Sequence, residues 1–388
     1  MRIYIYTLAT FIAIMLAACS KNDEPGNAVY METPNNSGVI SMVVNNENGG
    51  STTITPRLAQ IAEETVTVTV ALDEKTLNDY NSKNNLNLEP INADDFVFIT
   101  KDGKESTGQA SATIKKGEFQ TGIEVRMKSV NEDKYPFSKR FAIPVIITST
   151  SKHKVLSSPK TTIIRINRKL KTSVGLMGGG NIQMLPKTII KEPMTEWTFQ
   201  MSMIYSTLTR GNLTTAYISN HGGGEFYTRI NQTTGIQIKN GRDGDDTWTQ
   251  KSLSPNVWLH ISYVYREGSI SVYVNGELQK TFETTPIYIN NNADSGWVIG
   301  NEGYRNDYIR EVRFWDRALT EAEIIDKLYL PQDPQASGLL MYLPFTVESG
   351  LEDLTEKWNV TKGATTTISY VENVIFPSDK LEIEEDVE

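Results

Sequence analysis

Two stretches of the chain carry side chains in a mix that could hold a sugar. Asn240–Trp248, NGRDGDDTW, sets Asn, Arg and three Asp beside Trp248. Asn290–Trp297, NNNADSGW, and then Gly300–Tyr308, GNEGYRNDY, supply Asp294, Trp297, Tyr304, Asn306, Asp307 and Tyr308. A sugar presents flat C–H faces that aromatic rings cover and hydroxyls that Asp, Asn and Arg hydrogen-bond. The expected ligand-binding residues are therefore Trp248, Trp297, Tyr304, Asn306, Asp307 and Tyr308. Trp248 and Trp297 also stand where a strand could begin, which would turn them inward. Asp243, Asp245 and Asp246 offer the loop oxygen ligands that calcium prefers. They lack the distal Glu of an EF-hand loop, so a solvated acidic loop competes with a metal site, and calcium is the one cofactor suggested.

Catalytic chemistry has less support. A retaining glycosidase needs two carboxyl groups ~5 Å apart. On a strand that demand reads Glu-x-Asp-x-Glu, because alternate residues share a face. No expected strand has this pattern. Glu382 and Glu384 alternate only near the acidic end, and Glu311 alternates with Arg313, whose charge would neutralise it. No G-x-S-x-G elbow occurs. The glycine runs Gly178–Gly180 and Gly222–Gly224 do not join a strand to a long helix, so no phosphate cradle is expected. His153, His221 and His260 are the only histidines and lie far apart, against a histidine-rich zinc site. No catalytic residue is assigned, and the expectation is a protein that is not an enzyme.

Such loops need a scaffold, and strand signals dominate the chain. Val39–Asn45 and Glu64–Leu72 alternate β-branched and polar residues, as half-buried strands do. A helical or turn insertion, TLNDYNSKNNLNLEP, follows. FVFIT, ASATIKKGEF, GIEVRMKSV and RFAIPVIITST then recur between Gly, Lys and Pro turns, closing near Thr161–Arg168. This spacing predicts an immunoglobulin-like sandwich, with Lys169–Ser173 as a joint. Beyond it the strands are longer and more aromatic. Glu196–Ser206 places Trp197, Phe199, Met201 and Met203 on one face. In Asn256–Phe282, Leu259, Ile261, Tyr263 and Tyr265 share a face opposite Trp258 and Val264, and Ile270, Val272 and Val274 form the next inward face. Asn275-Gly276 suits a type I′ turn, which needs positive φ at both positions, and the result is a three-stranded meander. Thr320 with Glu323 makes a capping box for a short helix before the returning strand Gly338–Phe345. Trp197, Trp258 and Trp315 fall within strands and are expected to pack.

The chain has 388 residues and a formal net charge of -9, which argues against a nucleic-acid partner. Five acids fall in Leu381–Glu388, expected to be a solvated tail. Cys19 is the only cysteine, so no intramolecular disulfide can form. Met1-Arg2, the mostly apolar Ile3–Leu16 and the small Ala17-Ala18 before Cys19 have the layout of a secretory signal. The apolar run is short against the ~20 residues a spanning helix needs.

Leu16-Ala17-Ala18-Cys19 resembles the lipobox of bacterial lipoproteins. The resemblance implies removal of residues 1–18, a lipid on Cys19, and a tether over 19–28 that holds the protein to a membrane without spanning it. Ser20-Lys21-Asn22-Asp23-Glu24 is similar to the signal that exports lipoproteins to the outer face of the outer membrane in glycan-foraging Gram-negative bacteria. VTVTVALDEKTLNDYNSKNN, ATIKKGEFQTGIEV and RFAIPVIITS resemble the uncharacterised N-terminal domain of many such surface lipoproteins. WLHISYVY, SVYVNG and IREVRFWDRALTEAEI resemble the laminin-G/concanavalin A-like family, which implies a jelly-roll. Where those relatives often have Ile-Asp-Glu-Val, this chain has Ile309-Arg310-Glu311-Val312, which puts in doubt any ion contact carried by that Asp.

The expected fold class is all-β: an immunoglobulin-like sandwich over 29–168, a concanavalin A-like (laminin-G) jelly-roll over 174–377, and an acidic tail over 378–388. The resemblances imply a non-catalytic lipoprotein, anchored at the cell surface, that captures a polysaccharide or oligosaccharide beside an outer-membrane importer and its lipoprotein lid. The alternative is a structural or protein-binding subunit of that importer, and the third reading is a glycoside hydrolase. Fold alone does not choose among them.

Overall fold

The computed structural model describes residues 27–34, 37–188, 190, 194–208, 217–218, 226–239, 245–284, 296–300 and 306–385. Cys19 and its flanking signal, Tyr304, Asp243 and His221 lie outside them. The chain divides into two compact units. One holds the described part of Met1–Asn78 with Pro90–Ser129 and Ala142–Asn167; the other holds Asp79–Glu89, Val130–Phe141 and Arg168–Glu388.

The first unit is built of two sheets. One runs in the order Lys154–Val155, Ala28–Glu32, Gly50–Leu58, Ile123–Met127, Phe96–Thr100, Glu105–Ser106. The other runs Val39–Val44, Thr161–Arg168, Arg140–Thr150, Val66–Leu72, Gln109–Ile114. Val66, Val68 and Val70 are buried while the threonines between them are half-buried, the period of two that the sequence displays. The expected insertion is the helix Glu74–Asn84.

Two facing sheets form the second unit. The larger has the order Glu277–Glu283, Ser269–Val274, Trp258–Arg266, Glu196–Ile204, Asn306–Trp315, Leu170–Gly178, Thr367–Phe376, with Leu339–Leu343 also on Asn306–Trp315. The smaller runs Gly235–Lys239, Phe226–Asn231, Tyr217–Ile218, Trp297–Gly300, Asn181–Pro186, Trp358–Lys362. Their inner faces share one core, in which Trp197, Phe199, Met201 and Met203 meet Ile182, Phe226 and Ile299. Leu259, Ile261, Tyr263 and Tyr265 face this core, while Trp258 and Val264 lie in other clusters, as the alternation requires. Asn275 (φ 52°) and Gly276 (φ 83°) make the left-handed pair of the hairpin turn. The Thr320 capping box starts the helix Glu321–Asp326.

The two units divide between Asn167 and Arg168, beside the expected joint, and Leu170–Ser173 already belongs to a strand, in which Leu170, Lys171 and Thr172 pair with Phe376, Ile375 and Val374. The acidic end does not run free over its described part. It folds back so that Ile375 N–H donates to Glu382 O and Glu384 N–H to Asn373 O, both at 2.9 Å. Lys171 Nζ lies 3.1 Å from the Glu384 carboxylate.

Candidate functional site

Three adjacent strands of the larger sheet place their outward side chains in rows. Ser202 pairs with His260 on one side and Arg310 on the other; Gln200 pairs with Ser262 and Arg313; Ile204 pairs with Trp258 and Tyr308. A register shift between Gln200 and Ser202 marks a bulge in the facing strand, with Glu311 at φ 54°. The bulge lets Arg310, Glu311 and Arg313 all be buried. This face would carry solvent if nothing covered it. The helix Glu321–Asp326, the segment after it and the turn beyond Phe376 do cover it.

The cover is held by charge-assisted bonds. Arg310 donates to Tyr329 O at 2.7 Å, and Arg313 donates to Lys327 O at 3.0 Å and Leu330 O at 2.6 Å. Glu311 sits between the two guanidiniums, 3.3 Å from Arg310 and 2.6 Å from Arg313. The Tyr342 hydroxyl donates to it at 3.1 Å. Trp258 N–H donates to Asp379 O at 2.8 Å and fixes the turn.

Between these pieces lies a cavity of about 260 Å³, lined by Ser202, Trp258, His260, Arg310, Tyr329 and Phe376 among others. Pro377 and Asp379 at its rim are exposed. Its walls are aromatic: Trp258 and Phe376 have ring centroids 5.2 Å apart, and Tyr329 stacks on Phe376 at 6.3 Å. Arg310 lies over the Phe376 ring at 4.1 Å, a cation–π contact.

The cavity floor is a hydrogen-bond chain whose polarity can be assigned. Trp315 Nε1–H only donates, and it donates to Gln200 Oε1 at 3.0 Å. The Gln200 amide nitrogen therefore points the other way, toward Ser262 Oγ (3.1 Å) and His260 Nε2 (3.3 Å). His260 is fully buried, and burial together with Arg313 and Arg310 holds its pKa well below the usual imidazole value. It is neutral, accepts at Nε2, and so carries its proton on Nδ1, which donates to Ser202 Oγ at 2.7 Å. The Ser202 hydroxyl hydrogen is left to be donated elsewhere.

Among the described residues, those expected from sequence are not brought together. Trp297 is a correction: it is fully buried, stacked on Phe199 at 3.9 Å and edge-on to Trp197, because its strand faces the core. It cannot serve as a platform for a sugar. Asp307 is also buried, accepting from Ser206 N–H at 2.9 Å and Ser206 Oγ at 3.1 Å, which ties two strand ends rather than facing a ligand. Tyr308 is half-buried against the Trp258–Phe376 cluster, and Asn306 is exposed. Trp248 is half-buried and bridges Gln237 at the sheet edge, where Lys280 Nζ donates to its carbonyl at 2.8 Å. Asp246 is exposed, and its carbonyl accepts from the same ammonium. Among the described residues no cluster of three or more His, Asp or Glu could hold a metal. The sequence reading missed His260, Ser202 and Arg310 as a group; the signal available was only the run of polar residues alternating with the core-facing ones on neighbouring strands.

Comparison with known proteins places part of this architecture. Residues 195–325 match the concanavalin A-like lectin/glucanases superfamily, and residues 22–154 match a model described as an N-terminal domain. No curated protein matches the chain. Among solved structures, a Bacteroides ovatus protein provisionally described as carbohydrate-binding is 19% identical, with 89% of this chain and 97% of that one covered, at a TM-score of 0.49. A two-domain protein of unknown function from Bacteroides fragilis is 9% identical over 77% and 97%, TM-score 0.31. Domain 4 of AbnA, a Geobacillus stearothermophilus extracellular arabinanase in complex with arabinotriose, is 14% identical over 39% and 86%, TM-score 0.29. The chain is thus nearly all-β, with a concanavalin A-like jelly-roll domain in its C-terminal unit.

Proposed function

We propose that the C-terminal unit binds a saccharide without transforming it, and that the chain does so as a lipoprotein anchored through Cys19 at the outer-membrane surface, feeding an importer. The cavity on the outer face of the larger sheet carries this reading. It combines aromatic walls for sugar C–H faces with fixed donors for sugar oxygens, the usual composition of a small-ligand site. The match of residues 195–325 to a superfamily of lectins and glucanases supports a carbohydrate ligand. Of the two activities in that description, binding suits the cavity better. Its buried carboxylate neighbour, Glu311, is engaged by two guanidiniums and a phenol and is not free to act as acid, base or nucleophile.

The test is calorimetric titration of the chain from Ser20 onward against plant, host and microbial glycans, with and without calcium. Binding that weakens in Ser202→Ala and persists in Trp248→Ala supports the cavity. Binding lost in Trp248→Ala alone moves the site to the loop edge. A folded protein that binds no glycan points to the importer subunit reading. The anchor has its own test: intact-mass analysis of the membrane-extracted protein is expected to show a lipid adduct that Cys19→Ala abolishes, with the variant released from membranes.

A further inference from the structure

The polarity of the cavity goes beyond saccharide binding and, resting on that reading, narrows the ligand. The buried side-chain groups left unused on its lining are donors, the one carboxylate there, Asp379, being exposed at the rim. Arg310 Nε and Trp258 Nε1 are buried and have no hydrogen-bond partner among the described residues. Ser202 accepts from His260 and keeps its own hydrogen to give. Asn275, the amide on the lining, is already engaged at both ends: its Oδ1 accepts from His260 N–H at 2.8 Å and its Nδ2 donates to Trp258 O at 3.1 Å. His260 Nε2, the remaining acceptor on the ring, receives Gln200.

The charge has the same sense. Arg310 and Arg313 are both buried and share the single carboxylate Glu311. A guanidinium stays charged in a protein, so this cluster holds one positive charge in excess. Burial lowers the Arg310 pKa, the direction expected of a cation short of solvation. A hydroxyl brought to such a place adds a donor that finds no acceptor. A carboxylate brings only acceptors, about four lone-pair directions, and the missing charge.

We infer that the cavity takes a sugar that carries a carboxylate, with the carboxylate turned toward Arg310, Trp258 and Ser202 and the ring against the wall formed by Trp258, Phe376 and Tyr329. At about 260 Å³ the space greatly exceeds the ~15 Å³ that one water needs, and it admits a single ring. Asp379 at the rim opposes the incoming anion and so tunes affinity downward.

The experiment compares D-glucuronate and D-galacturonate with glucose, galactose, the uronate methyl esters and acetate, by calorimetry on the mature chain at pH 7. The uronates are expected to bind at least ~10-fold tighter than the neutral sugars and the esters, because a charge-assisted pair replaces a neutral one. Acetate, lacking the ring, is expected to bind more weakly than either uronate. Ser202→Ala should weaken uronate binding, and Asp379→Asn, an exposed change that leaves the core intact, should strengthen it roughly twofold. Neutral sugars that bind as tightly as uronates, and lose affinity in Ser202→Ala, would overturn the carboxylate assignment while leaving saccharide binding at the cavity in place. Binding of neither class would overturn both. Acetate as tight as uronate would overturn the sugar and retain an anion site.

Discussion

His260 and Lys327 are two buried bases that the fold keeps from their ordinary protonation, with consequences of the same sign in two separate pH windows. His260 stays neutral inside the sheet face, while in the unfolded chain a histidine takes up a proton below about pH 6.5. Below that pH the unfolded state binds more protons, so stability falls on acidification and is unaffected by this group above it. Burial lowers the Lys327 pKa to about 7, and its Nζ donates to Ser138 O at 2.5 Å. An unfolded lysine titrates near 10.4. Between about pH 7 and 10 the unfolded state again binds more protons, so the penalty for burying this ammonium is relieved as pH rises. Urea unfolding of the C-terminal unit is therefore expected to show stability rising from pH 5.5 to 6.5 and again from 7 to 10. His260→Gln should flatten the first rise and Lys327→Met the second. A lysine that retained its full slope as methionine would refute the assignment.

At the level of elements, the Asn306–Trp315 strand shows what sequence can and cannot reveal. Its inward residues Ile309, Val312 and Phe314 alternate with their neighbours strongly enough to be read, and so do Leu259, Ile261 and Tyr263 across the sheet. The hairpin at Asn275-Gly276 and the helix start at Thr320 were legible because each needs particular residues at fixed offsets. The outer face was not legible. Gln200, Ser202, His260 and Arg310 are polar residues facing away from the core, the pattern of an ordinary solvated face. What buries them, Lys327–Leu330 and Phe376–Asp379, stands far away in sequence. Trp297 failed for the converse reason: its polar neighbours suggested a loop, while its strand pairs with Asn181–Pro186 and points it inward. The bulge yields a prediction about Glu311, whose carboxylate is the shared partner of two buried guanidiniums. Glu311→Gln keeps the shape and removes the charge, leaving both cations uncompensated, which is expected to cost about 3–5 kcal/mol. Equilibrium denaturation measures it, and a loss below about 1 kcal/mol would mean the guanidiniums are satisfied by the main-chain carbonyls alone.

For the whole molecule, the division into two units meets an uneven distribution of chromophores. All six tryptophans, at positions 197, 248, 258, 297, 315 and 358, fall in the unit that holds Arg168–Glu388. Trp197 and Trp297 are fully buried, and Trp258, Trp315 and Trp358 nearly so. Tryptophan fluorescence therefore reports the jelly-roll unit alone, whereas far-ultraviolet circular dichroism reports the strands of both. A Trp297→Ala substitution removes a core ring that touches Trp197, Phe199, Phe226 and Phe314, and is expected to destabilise that unit by about 3–5 kcal/mol. If the units unfold as separate cooperative bodies, the fluorescence midpoint in denaturant moves down with the substitution. The circular dichroism trace should then resolve a second transition, at the parent midpoint, from the unit that carries no tryptophan. If both probes shift together by the same amount, the two units unfold as one. The same pair of probes locates the ligand, because a uronate held in the outer-face cavity raises only the fluorescence midpoint, by RT ln(1 + [L]/Kd), about 2.7 kcal/mol at a hundredfold excess over Kd. A ligand that instead raised the tryptophan-free transition alone would place binding in the N-terminal unit and remove it from the jelly-roll.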